Sequence, residues 1–227
     1  MDTLLFGIIP VSSVVMFACF VPAIVVHEVS HGYVAYKLGD PTAKSLGRLS
    51  LNPIRHIDPF GTVILPLMLM LAGGPVFGYA KPVPYNPAYF KDVRKGELLT
   101  GLAGPASNLA MGTVGAIVCN LLLLPGFLTG EAAYWVLAVC FYFTIVNFFL
   151  MFFNLLPIPP LDGSSIIAPF LSDKALVQYY SIQRYALPVL MILLIAVPYM
   201  LHFSPIGIYL DATAGNLARL LYGHLLY

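Results

Sequence analysis

Charged side chains are scarce in this chain of 227 residues: Asp, Glu, Lys and Arg together make up 9% of the sequence. Soluble globular domains carry about 25% charged residues. Hydrophobic residues make up 59%, and the mean hydropathy is +0.88. This balance excludes a soluble enzyme with one apolar helix and indicates a polytopic membrane protein. The length suits one compact bundle, so we expect residues 1–227 to form a single transmembrane domain without a separate soluble domain.

Cysteine is also rare, and the three cysteines follow no metal-binding spacing. Cys19, Cys119 and Cys140 lie in apolar runs without a CxxC pattern, which favours buried free thiols over disulfides or a thiolate zinc site. The formal net charge is +1 and no basic patch is interleaved with aromatic residues, so we expect no nucleic-acid partner. No Lys or Arg precedes the first apolar run, which is too long for a signal-peptide core, so we expect a retained membrane helix.

Several apolar stretches are long enough to cross a bilayer, which takes about 20 apolar residues. They are 4–36, 98–130, 132–161 and 185–201. Proline is expected to bend the last of them, at Pro188 and Pro198. The segment 206–227 could form an interfacial amphipathic helix or a further span, and the sequence leaves this open. We therefore predict an all-α polytopic membrane protein, a bundle of about four to six transmembrane helices.

The uncharged stretch 62–80 is bordered by basic residues on both sides. Eight of the eleven Lys and Arg residues flank it, namely Lys37, Lys44, Arg48, Arg55, Lys81, Lys91, Arg94 and Lys95. The positive-inside rule places both flanks in the cytosol. Gly73, Gly74 and Pro75 would supply a turn. We therefore predict a membrane-re-entrant hairpin at about 62–83, with an ordinary short span as the alternative.

The sequence HEVSH at 27–31 combines two metal-binding side chains with an acid. On a helix, His27 and His31 are one turn apart, so both imidazoles can bind one zinc ion. Glu28 lies beside them, where it could act as general base toward the water that zinc activates. A polar site in an apolar segment is costly, which favours a functional role. At 1.5 Å per residue, His31 and His27 would lie about 9 Å and about 15 Å before Lys37, inside the cytosolic end of the helix.

A zinc site needs at least a third protein ligand. No histidine stands six residues after His31, and of the downstream glutamates, Glu97 and Glu131, the second is predicted on the opposite side of the membrane. Asp162 is the stronger candidate. The three prolines of NLLPIPPLDG at 154–163 prevent regular helix before it, so the chain opens at about the depth of the histidines. An unpaired carboxylate there favours a cation; the alternative is that Asp162 only caps the following helix.

HEVSH at 27–31 together with NLLPIPPLDG at 154–163 resembles the site-2 protease family of intramembrane zinc metalloproteases. Further segments match the compact branch of that family, which lacks PDZ and CBS domains. They are LGDPTA at 38–43, GRLSLNP at 47–53, HIDPFGT at 56–62, GYAKPVP at 78–84 and GPASN at 104–108. The matches extend from about residue 4 to residue 164.

The resemblance implies a role for each motif residue. His27, His31 and Asp162 would bind one zinc ion. Glu28 would be the general base, and Asn154 would face the site and steady the substrate carbonyl or oxyanion. The substrate would be a single-span membrane protein, such as an anti-sigma factor-like protein, cleaved in or near its transmembrane segment. The expected location is a bacterial or archaeal plasma membrane, with the active site toward the cytosolic side.

By the resemblance, the hairpin at 62–83 would hold the substrate in extended form.

Other interpretations of the same residues stay open. A metal transporter or sensor would instead show further intramembrane carboxylates and histidines along a path, and an inactive scaffold would lack a ligand or the base. Asn154 and Asn108 could serve helix packing alone; Gly104 beside Asn108 favours close packing. His56 is expected at the interface or beside a ligand. The oligomeric state is not determined by the sequence.

Overall fold

The computed structural model describes residues 3–4, 9–65, 67–68, 79–124 and 130–222, and within them the chain is a bundle of helices. Two short strands, β1 (Thr3–Leu4) and β2 (Ile9–Pro10), pair antiparallel before the first helix. The α-helices are α1 (Val11–Lys37), α2 (Thr42–Ser45), α3 (Val93–Leu122), α4 (Gly130–Asn154), α5 (Asp162–Ile167), α6 (Asp173–Met191), α7 (Val197–Leu201), α8 (Pro205–Leu210) and α9 (Asn216–Tyr222). The predicted all-α membrane fold is confirmed.

Three of the described helices are long and apolar enough to cross a membrane. They contain the segments Val14–Lys37, Val93–Leu122 and Ala133–Asn154, which correspond to the first three predicted spans. A bent pair, Asp173–Gln183 with Pro188–Leu201, makes a fourth if it is counted as one span. Its two parts meet at 60°, just before Pro188, so the bend predicted at Pro188 is confirmed.

The three long helices pack against one another through small side chains, as expected where lipid competes for larger apolar surfaces. Cys19 and Ala23 of α1 are buried against Val146 of α4. Ala116 and Cys119 of α3 contact Phe148 of α4 in a second cluster. All three cysteines are free, and Cys140 is partly buried, which agrees with the expected buried thiols.

The C-terminal segment 205–222 is continuous helix, with a wider turn at Asp211–Gly215 between α8 and α9. It runs antiparallel to α4, because the Tyr209 hydroxyl donates to the Phe152 carbonyl and Tyr222 bonds to Thr144. Leu221 accepts a hydrogen bond from Asn120 at the end of α3. The segment is therefore part of the bundle rather than a detached interfacial helix.

The connection between α1 and α3 folds back onto the end of α1. Asp40 is fully buried and accepts hydrogen bonds from Thr42 and from the backbone N–H of Asn86. His56 is 1% exposed and donates through Nε2 to the Ser50 carbonyl, so its side chain packs within this connection.

The predicted hairpin at 62–83 falls largely on residues 66 and 69–78, which lie outside the described residues. Its two flanks are described and lie side by side. The Tyr79 N–H donates to the Gly61 carbonyl at 3.0 Å, and the Thr62 hydroxyl donates to the Tyr79 carbonyl at 2.8 Å. The backbone N–H of Lys81 donates to the His56 carbonyl at 2.9 Å. The segment therefore ends beside the point where it began.

Candidate metal centre

The two histidines of the HExxH motif lie on one face of α1 and are almost fully buried. His27 is 3% exposed and His31 is 8% exposed. Their Nε2 atoms are 3.1 Å apart, and the rings meet edge to face. The helical spacing of four residues therefore brings two nitrogen atoms to one point, as the sequence predicts.

Helix α3 packs against this face of α1 through three residues that are spaced four positions apart on α3. The Thr100 carbonyl accepts a hydrogen bond from Nδ1 of His31 at 2.6 Å, and Oδ1 of Asn108 lies 2.5 Å from Nδ1 of His27. Gly104 lies between them, and a Cβ at this position would be 2.5 Å from Cε1 of His27. Only glycine leaves room for both rings, because such a contact is too close for any side chain.

The third group arrives on the turn after α4. The chain leaves the helix at Asn154, and α5 begins at Asp162, so the helix breaks across the proline-rich stretch as predicted. The N-cap of α5 is Leu161 and has no side-chain hydrogen bond, so Asp162 does not act as the cap. Gly163 permits the tight turn, because its Cβ would lie 2.5 Å from the Leu155 carbonyl oxygen.

The three side chains form a cluster with the spacing of a zinc site. Oδ2 of Asp162 is 3.0 Å from Nε2 of His27, and Oδ1 is 3.3 Å from Nε2 of His31. Tetrahedral zinc with bonds of about 2.0–2.1 Å separates its ligand atoms by about 3.3 Å. Among the described residues, these three are the only group of three or more His, Cys, Asp or Glu side chains placed to share a metal ion.

The hydrogen-bond partners of the two rings also favour a cation at this point. The Thr100 carbonyl can only accept, so Nδ1 of His31 carries the hydrogen and the Nε2 atom of the neutral ring is a bare acceptor. With Nδ1 of His27 donating to Asn108, both Nε2 atoms and the carboxylate present lone pairs to one another. Oδ2 of Asp162 is buried and accepts no hydrogen bond. A divalent cation relieves this repulsion, and nitrogen with carboxylate ligands suits zinc.

Glu28, the predicted general base, is held by a residue far along the chain. Its Oε2 atom accepts a hydrogen bond from the backbone N–H of Val83 at 3.0 Å. Val83 is 5% exposed and its side chain packs against α1 at Gly32. The carboxylate is thus fixed beside the cluster by the last residue of the predicted hairpin.

The other candidate residues are not among the three side chains placed to share a metal ion. Asn154 donates to the Leu150 carbonyl of its own helix, and its role toward a substrate stays a prediction. Glu97 and Glu131 are not part of the metal-binding group, and His56 bonds to Ser50. His202 is exposed, and residue 224 lies outside the described residues.

Sequence reasoning missed three contributors to this site. They are Thr100, whose backbone carbonyl binds His31, Val83, whose N–H binds Glu28, and Asn147, which hydrogen-bonds Asn108. A sequence does not show which backbone groups will make such contacts. Asn147 could have been noticed, because it is an amide within an apolar run of its helix, and the structure buries it fully.

Comparisons with known proteins agree with this chemistry. The model of peptidase family M50 matches residues 125–197. "Putative zinc metalloprotease YwhC" of Bacillus subtilis is 37% identical over 189 residues, which cover 81% of this chain and 77% of that protein. "Putative zinc metalloprotease Rip2" of Mycolicibacterium smegmatis is 26% identical over 216 residues, covering 91% and 80% of the two chains. No solved structure matches the chain significantly.

Proposed function

Since the chain belongs to peptidase family M50, the site-2 protease family, we propose that it hydrolyses a peptide bond in or near a transmembrane segment of a membrane-protein substrate. The chain is a multi-pass membrane protein whose cofactor is zinc. The observation that carries the proposal is the convergence of His27, His31 and Asp162, with ligand atoms 3.0 to 3.3 Å apart, inside a bundle whose long helices can span a bilayer.

The proposed ligands of the zinc ion are His27, His31 and Asp162. When bound there, zinc makes a water molecule acidic enough to attack at neutral pH and polarises the substrate carbonyl. Three protein ligands leave one position open, which distinguishes a catalytic zinc site from a structural one. The carboxylate of Asp162 is 19% exposed, so the cluster is not sealed on that side.

Glu28 is the proposed general base. It follows His27 directly on α1, and the Val83 N–H holds its Oε2 atom. Its carboxylate would take the proton of the attacking water and pass that proton to the leaving amine. Asn154 is the proposed hydrogen-bond donor to the substrate carbonyl, which would require its amide to leave the Leu150 carbonyl.

The substrate would have to be unwound before cleavage, because each backbone carbonyl of a closed helix is hydrogen-bonded. The segment 79–83 runs past Glu28, whose carboxylate accepts a hydrogen bond from the Val83 N–H. Its N–H groups at Tyr79, Lys81 and Val83 are occupied, and Arg48 binds the carbonyls of Lys81 and Pro82. By analogy with the family, the hairpin 62–83 is the proposed holder of the substrate strand.

The active site would face the cytosolic side of a bacterial or archaeal plasma membrane. The basic residues that flank 62–80 support this orientation, because positive charge favours the cytosol. They end or follow α1 and precede or begin α3, so both helices would meet the cytosol at the ends nearer to the histidines. A single-span protein of the anti-sigma factor type is the proposed substrate class.

The proposal is tested by cleavage in detergent or vesicles. Purified wild-type protein is incubated with candidate single-span substrates, with and without a chelator, beside Glu28→Gln. We expect cleavage by the wild-type protein, loss with chelator, recovery on adding zinc, and a loss of about 100-fold or more in Glu28→Gln with its zinc retained. Undiminished cleavage by Glu28→Gln would reject the mechanism.

A further inference from the structure

A chain of buried hydrogen bonds leads from the metal centre across three helices. His27 of α1 bonds to Asn108 of α3 at 2.5 Å, and Nδ2 of Asn108 donates to Oδ1 of Asn147 on α4 at 2.9 Å. Nδ2 of Asn147 in turn donates to the backbone carbonyl of Phe143 at 2.8 Å. Both asparagines are 0% exposed. The relay, as we name it, consists of His27, Asn108, Asn147 and the Phe143 carbonyl.

The direction of every hydrogen bond in the relay is fixed at its far end. A backbone carbonyl can only accept, so Asn147 must turn its amino group toward Phe143 and its oxygen toward Asn108. That oxygen accepts from the amino group of Asn108, whose own oxygen then faces His27. Nδ1 of His27 must therefore donate, which leaves Nε2 of the neutral ring without a hydrogen.

The consequence reaches the metal centre because only a bare ring nitrogen can bind zinc. A free asparagine amide could rotate by 180° and offer its amino group to His27, which would place the hydrogen on Nε2. A long contact of 3.4 Å from Asn108 to the Ala23 carbonyl opposes this rotation weakly. The shorter bond to Asn147 is the stronger restraint.

We propose that Asn147 is a positioning residue for the metal centre, acting through Asn108 to set the tautomer and ring orientation of His27. The inference rests on the proposed zinc site. Groups that hold a metal-binding histidine by its second nitrogen raise metal affinity by about 10- to 100-fold. Asn147 extends that control by one more residue and one more helix.

A purely structural role for Asn147 predicts something different. Asparagines also join helices without any link to a site, and the partly buried Asn120 is an example in this chain. It lies on α3 with Asn108 and donates to the carbonyls of Ala116 and Leu221. Asn120→Leu is therefore the matched control, because it removes an interhelical hydrogen bond that does not lead to His27.

The test measures zinc affinity by competition with a chelator, together with the nitrogen-15 spectrum of labelled histidine in the metal-free protein. In Asn147→Leu we expect zinc affinity to fall about tenfold or more, and part of the His27 signal to move from the Nδ1–H to the Nε2–H tautomer. Asn120→Leu should keep the wild-type values of both. If Asn147→Leu does not fold, Asn147→Ser, which is too short to reach Asn108, replaces it.

A conservative variant provides the rescue. Asn147→Asp in its neutral form can donate its hydroxyl to Phe143 and accept from Asn108, so we expect near wild-type zinc affinity. Unchanged affinity and unchanged tautomer in Asn147→Leu would overturn the relay while leaving the zinc site in place. Failure of the wild-type protein to bind zinc would instead reject the proposed function, and the metal-free spectrum would still test the relay.

Discussion

The backbone N–H of Val83 donates to Oε2 of Glu28 at 3.0 Å, across 55 positions of sequence. Glu28 lies next to a proposed zinc ligand, and Val83 lies between Pro82 and Pro84, neither of which has an N–H to offer. A single backbone group therefore fixes the carboxylate that the proposed mechanism uses to move a proton.

Replacing Val83 with proline removes this hydrogen bond. We expect Val83→Pro to lower kcat by about tenfold, a part of the 10²- to 10⁴-fold that general base catalysis contributes. The proposed zinc ligands are untouched, so the zinc content should not change. Val83→Ala is the control, because it trims the buried side chain but keeps the N–H. Equal rates for the two variants would show that the N–H is not needed.

Gly104 should tolerate no side chain, because both imidazoles lie against α3 at this position. A Cβ at this position would lie 2.5 Å from Cε1 and 2.6 Å from Nε2 of His27. We expect Gly104→Ala to lose zinc affinity and to destabilise the fold by about 1–3 kcal/mol, as overpacking does. Gly101→Ala, where the nearest atom is Cβ of Ser165 at 3.1 Å, should keep zinc. Metal analysis and thermal unfolding measure both.

Asp40 should stabilise the connection after α1 only while it is ionised. Burial raises its pKa, but the hydrogen bonds from Thr42 and from the backbone N–H of Asn86 lower the pKa by more than burial raises it. The net pKa therefore lies below the ordinary value of 3.8. A pKa lowered by folding stabilises the protein above 3.8, and this contribution is lost as the pH falls through the folded-state pKa.

Asp40→Asn is therefore expected to destabilise the protein by about 1–3 kcal/mol near neutral pH, because an amide cannot accept on both sides. Thermal unfolding of the two proteins should converge as the pH is lowered below 3.8. A difference that persists unchanged in acid would show that the charge of Asp40 does not stabilise the connection.

The proposed orientation predicts which surface residues can be reached from each side of the membrane. Leu46, in the connection after α1, is 61% exposed, and Leu124, after α3, is 50% exposed. With the three native cysteines replaced by alanine, Leu46→Cys should react with an impermeant thiol reagent only in inverted vesicles. Leu124→Cys should react only in right-side-out vesicles. The reverse pattern would place the active site on the outer side.

Local patterns in the sequence predicted the parts of the site that lie close together along the chain. The spacing of His27 and His31 follows from the helical repeat, and the prolines before Asp162 open the helix that brings its carboxylate inward. Both predictions rest on neighbours within about ten residues. The bend before Pro188 has the same origin.

The contacts that complete the site could not be predicted, because they join residues 55 to 81 positions apart. Which backbone carbonyl meets His31 depends on how α3 packs on α1, and periodicity does not encode this. His56 illustrates the limit: the sequence left it between the interface and a place beside a ligand, and only the fold shows that it is buried against Ser50. The C-terminal helix is similar, since only its contacts with α4 show that it joins the bundle.

The central claim is that His27, His31 and Asp162 hold one zinc ion, and X-ray absorption at the zinc edge of the purified protein tests it most directly. We predict one zinc ion per chain, with two imidazole nitrogen ligands and the remaining ligands oxygen. Asp162→Ala should lose most of the metal. A spectrum with sulfur or a third imidazole, or full zinc occupancy in Asp162→Ala, would contradict the account.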